Sequence, residues 1–107
     1  MVALAKSSLS SDRKRLIELM QRVNFGRIEN LFVRDGEPVL DPPPRVVYEI
    51  KFSGENGPRP EAGIDDFAVK AQIVDLLAHF DRLRNATIEL LTVKHGLPFG
   101  MHVEANA

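Results

Sequence analysis

Three histidines, His79, His95 and His102, are the side chains of this 107-residue chain best suited to move protons near neutral pH. The hairpin register derived below sets His102 across from Glu89. A carboxylate that orients an imidazole is the pairing a general base requires. The same pair is also an ordinary cross-strand contact on a sheet surface, which is its commoner use. His95 falls in a turn, whose left-handed geometry histidine tolerates. His79 lies on the polar side of a helix. No His-x-x-x-His or carboxylate–histidine spacing gathers the three around a metal, and without cysteine there is no thiolate ligand or thiol nucleophile. Neither a metal nor a cofactor is expected.

Two other places could hold a ligand. Ser53 to Gly63 packs three glycines and two prolines into eleven residues. A loop of that length carrying Glu55, Asn56 and Arg59 is a natural place for a contact. With Glu89 and His102 it forms the candidate site of an enzymatic or small-molecule-binding reading. Its Ser53-Gly54-Glu55-Asn56-Gly57-Pro58 run matches neither nucleotide-binding glycine fingerprint. Asp65-Asp66 looks like a paired acid, but acidic residues at a helix start serve capping and the helix dipole.

Composition bounds the partners. The chain is 44% apolar and 27% charged with a net charge of −1, as an ordinary globular domain is. Residues 1–52 carry nine Lys/Arg and seven Asp/Glu, and residues 53–107 carry five and eight. That asymmetry is too mild to bind nucleic acid non-specifically. The element order below also occurs in double-stranded RNA-binding domains, but those grip phosphate with lysines where this chain has Asp65-Asp66. Nucleic acid is therefore not expected as a partner. The first residues, Met-Val-Ala-Leu-Ala-Lys6, lack a basic n-region, and no run approaches the ~20 apolar residues of a spanning helix. A soluble, cytoplasmic protein away from membranes is expected.

The elements that must position these residues follow from periodicity. Residues 1–9 read as a loose terminus and 10–107 as one domain. Ser10 or Ser11 caps a helix that runs to about Val23, with Leu16, Leu19, Met20 and Val23 on one stripe. Ile28 to Arg34, a turn at Asp35-Gly36, and Glu37 to Leu40 form a hairpin. Asp41-Pro42-Pro43-Pro44 interrupts the sheet, and alternation over Arg45 to Phe52 marks a third strand. A second helix starts at Asp65 or Asp66 and ends near Arg84-Asn85. Thr87 to Lys94 and Leu97 to Glu104 close the chain as a hairpin turning at His95-Gly96. The expected fold is α+β, in the order α-β-β-β-α-β-β, with an antiparallel sheet and two helices.

Residues 16–40 align without a gap over 76–100. Leu16, Arg22, Ile28, Glu29, Leu31, Val33, Gly36 and Pro38 meet identical residues at Leu76, Arg82, Ile88, Glu89, Leu91, Val93, Gly96 and Pro98. A helix, both strands and the turn keep one register, so an internal helix-hairpin repeat is expected, with strand 45–52 as an extra element.

The register assigns faces. Ile88, Leu90, Phe99, Met101 and Val103 fall on one side of the last hairpin. Glu89, Leu91, Val93 and His102 fall on the other, with Leu31, Val33 and Leu40 as first-hairpin counterparts. Two helices cannot cover both faces. Leu31, Val33, Leu40, Leu91 and Val93 are thus expected to lie uncovered in one chain and to meet a second molecule. Phe67, Ala71, Val74 and Ala78 form a small-residue stripe on the second helix that would admit the first helix or a partner's helix. The leading expectation is a non-enzymatic homodimeric interaction module, adaptor- or chaperone-like.

Residues 16–52, with Asn24-Phe25-Gly26-Arg27-Ile28, Asp35-Gly36 and Glu49-Ile50-Lys51-Phe52, resemble a family of small bacterial proteins of unknown function. The resemblance implies a folding unit and no activity. Asp41 to Pro44 departs from its pattern. The element order is also similar to that of the dimeric chaperones of type III secretion, without their closing helix.

Overall fold

A computed structural model describes residues 8–52 and 70–104. It has two helices, α1 (Ser11–Val23) and α2 (Ala71–Leu83), and strands β1 (Gly26–Arg34), β2 (Glu37–Val39), β3 (Arg45–Tyr48), β4 (Ala86–Lys94) and β5 (Leu97–Glu104). All pairings are antiparallel, giving the α+β order that periodicity predicts. β1 and β4 are the central pair. β5 lines the outer edge of β4, while β2 and β3 follow one another along the outer edge of β1.

Local chemistry explains the boundaries. The Ser10 hydroxyl accepts from the Arg13 N–H at 3.2 Å, capping α1, and donates to Glu37 at 2.7 Å. The second helix begins at Ala71, after an extended Lys70 that makes no side-chain cap, and so starts later than Asp65-Asp66 suggests. The third strand stops at Tyr48, leaving Ile50 and Phe52 exposed outside the sheet. Both hairpins turn where expected, with Asp35-Gly36 and His95-Gly96 all at positive φ.

The repeat is a pseudo-two-fold, in which each residue of the first unit corresponds to the one sixty positions later. Asn24 and Arg84 end their helices at φ 61 and φ 60, with their N–H groups bonded to Met20 O and Phe80 O. The Gly36 N–H donates to Arg84 O at 2.8 Å, and the Gly96 N–H donates to Asn24 O at 2.9 Å. The pair Gly26–Val93 maps onto the pair Val33–Ala86 at the other end of the same ladder. An operation that reproduces caps, turns and register together is a property of the whole fold.

β3 is not an extra element. Val46 pairs with Ile28 as Val103 pairs with Ile88, and Arg45 and His102 continue the two ladders, the second across the Glu89 bulge. β2 and β3 are thus the first unit's version of β5, split by the Asp41–Pro44 excursion. Three adjacent prolines withdraw the N–H groups that would otherwise continue the ladder.

The expected faces need correction. Leu31 and Leu91 are 0% exposed, Val33 and Val93 1%, and Leu40 7%. These five form the core with Leu16, Ile17, Met20, Ile73, Leu76, Leu77 and Phe80 from the helices. The cause is a break in alternation. Ile28 and Leu31 are both buried although three apart, with Asn30 at φ 56 between them, and Ile88 and Leu91 repeat the pattern. Each central strand changes parity in mid-length, so both ends of it turn their apolar residues to the helices. The opposite face, uncovered by any element among the described residues, carries Arg27, Glu29, Phe32, Leu90 and Thr92.

Candidate functional site

The same irregularities dismantle the Glu89–His102 pair. His102 pairs with Leu90, and Glu89 is the additional residue of a bulge between Ile88 and Leu90. Both are exposed. Glu55, Asn56, Arg59 and Phe67 lie outside the described residues. Among the described residues no group of three His, Asp or Glu side chains is placed to hold a metal. His95 stacks edge-on against Phe25, ring centroids 4.8 Å apart, in its turn role. Ala71, Val74 and Ala78 are exposed on α2, so this stripe does not pack against α1.

One carboxylate has an altered environment. Glu29, at the middle of β1, accepts from Arg27 Nε at 2.7 Å and lies 3.3 Å from Arg45 Nε. The Arg27 hydrogen bond, against a partial desolvation and aided by both guanidinium charges, holds its carboxyl below the usual glutamate range. Flanked by two arginines on an open face, it acts as a structural anion that ties β3 to β1.

A concavity lies between α2 and β5. It is an open groove of about 440 Å³, within the size range of ligand-binding clefts. Gln72, Asp75, Leu76 and His79 form the helical wall, Phe99 to Met101 and Val103 the strand wall, and Leu91 of β4 the floor. Phe99 is 69% exposed. It is the additional residue of a second bulge, because Thr92 pairs with Gly100 and Val93 with Pro98. The bulge puts a large apolar ring at the rim, where the Lys94 ammonium sits 4.0 Å from its centroid. Nothing lies within 4 Å of where a Gly100 side chain would begin. His79 Nδ1 is 2.8 Å from the Asp75 carbonyl oxygen, which can only accept. Nδ1 therefore carries the proton, and in the neutral ring Nε2 remains an acceptor.

The two-fold mate of this groove is narrowed by the chain itself. Arg15, Leu19 and Arg22 of α1 face Leu40, Pro43 and Pro44, around a smaller depression of about 340 Å³ that reaches no central strand. Arg15 Nη1 donates to Asp41 at 3.3 Å, tying the proline loop to the helix. The second unit has no such loop, since His102 follows Met101 directly. Sequence reasoning named Ala71, Val74 and Ala78 on α2 and placed His79 on its polar side, but did not join His79 with Gln72, Asp75 and Leu76 as one groove wall. The signal was available as the four-residue excursion present in one repeat and missing from the other.

β5 is also an eight-residue edge strand whose outer side is unpaired among the described residues. The other edge is blunted by its prolines, a common protection against unwanted pairing.

Comparison with known protein families, curated proteins and solved structures finds no match. Among the described residues no helix is long and apolar enough to cross a membrane.

Proposed function

We propose that the chain is a non-enzymatic protein-interaction module, acting in the cytoplasm, that takes up an extended segment of a partner in the α2–β5 groove and along the β5 edge. The observation that supports this reading is the broken symmetry. Two equivalent grooves are built; Pro43 and Pro44 narrow the first to about 340 Å³ away from the central strands, and the second, about 440 Å³, has Leu91 of β4 behind it. A cleft between an edge strand and a helix suits strand addition, in which main-chain hydrogen bonds supply affinity and side-chain pockets supply specificity. The expected homodimer takes a changed form here. The five residues first assigned to it are core, so a second copy would join through the β5 edge, most readily beyond the Phe99 bulge. That second reading is favoured by the edge's eight-residue length.

Selection of random extended decapeptides against the purified chain tests the proposal. Peptides that bind and are competed by one another support a single acceptor groove. A selection that enriches nothing, with the protein monomeric in sedimentation at high concentration, refutes it.

A further inference from the structure

Resting on that reading, we infer that the segment the α2–β5 groove accepts is extended and proline-containing, with one basic side chain that meets Asp75. The first half of the molecule shows the template. There the segment facing the helix is Leu40-Asp41-Pro42-Pro43-Pro44, its Pro43 and Pro44 line one depression with Leu19, and its acid accepts from Arg15 at 3.3 Å. The two-fold carries Arg15 onto Asp75 and Leu19 onto His79. The helical charge is inverted between the halves, so the complementary charge on the occupant is inverted as well.

The rest of the groove agrees with that chemistry. Leu76, Met101, Val103 and the exposed Phe99 ring offer apolar surface against which proline rings pack. Proline has no N–H to leave unsatisfied there, and its polyproline geometry has already given up much of its conformational entropy. His79 Nε2 supplies an acceptor for an N–H of the occupant. Asp75 is 76% exposed, so its attraction for a cation is solvent-screened and gives selectivity more than affinity.

The test uses two labelled probe peptides read by fluorescence anisotropy at low salt. One is Val-Leu-Asp-Pro-Pro-Pro, the chain's own 39–44 sequence, and the other is Val-Leu-Arg-Pro-Pro-Pro. The wild-type chain should prefer the arginine peptide by about fivefold, the range an exposed ion pair and its like-charge counterpart allow. Asp75→Arg should reverse the preference, and an unchanged circular dichroism melt verifies that this surface change leaves the fold intact. Equal binding of both peptides by both proteins overturns the inference while leaving the groove reading in place. So does failure of both peptides when library-selected ones still bind. Binding that appears only after Arg59→Ala would assign the groove to the chain's own Pro58-Arg59-Pro60 and overturn an external partner. An empty library selection removes the parent reading instead.

Discussion

Replacing Leu91 with aspartate separates a core position from a contact surface. Leu91 is 0% exposed and forms the floor of the α2–β5 groove. Truncating such a leucine to alanine costs about 3 to 5 kcal/mol, transfer and cavity terms together. Aspartate adds the desolvation of a carboxylate, or the cost of protonating it, which is several kcal/mol more. A domain of 107 residues has a total stability of only about 5 to 15 kcal/mol. Leu91→Asp should therefore be unfolded or nearly so at 25 °C. Leu91→Ala should remain folded and melt roughly 10 to 25 °C lower. Leu31, its two-fold mate at 0% exposure, should also lose about 3 to 5 kcal/mol on truncation to alanine. Urea denaturation followed by circular dichroism measures all three. A Leu91→Asp chain that is folded, with a melt like wild type, would refute the core assignment and restore the uncovered-face expectation.

Gly26 has φ 155, and an added Cβ would collide with the Val47 carbonyl oxygen of β3; Gly26→Ala should cost about 2 to 4 kcal/mol by chemical denaturation. Glu29, whose folded pKa is lowered, contributes stability that is present above its unfolded pKa and lost as pH falls through its folded value. NMR titration should find its carboxyl below the ordinary range and Arg27→Gln should raise it, whereas an unmoved value would show that Arg27 is not the cause.

Much of the frame was legible in the sequence for identifiable reasons. Asp35-Gly36 and His95-Gly96 fix two-residue turns by their backbone chemistry, and Ser10 fixes a helix start. The recurrence of Leu16, Ile28, Leu31, Val33 and Pro38 sixty residues later is retained because equivalent positions meet equivalent neighbours. The faces were not legible, because strict alternation presumes an unbroken strand. Nothing about Asn30 or Glu89 as residue types announces a change of parity, yet each accompanies one. The slip moved Leu31, Val33, Leu91 and Val93 from the expected surface into the core and parted Glu89 from His102. The groove was hidden differently. It exists through a difference between the two repeats, and an alignment that rewards their identities passes over the missing loop.

The central claim is that of two equivalent grooves only the second receives a partner. Heteronuclear amide spectra of the labelled chain, titrated with a library-selected peptide, test it most directly. The account predicts shifts at Gln72, Asp75, Leu76, His79 and 99–103, with their mates Arg15, Leu19 and Leu40 unmoved. Equal shifts in both halves, or shifts centred on Arg27, Glu29, Leu90 and Thr92 of the open sheet face, would contradict it.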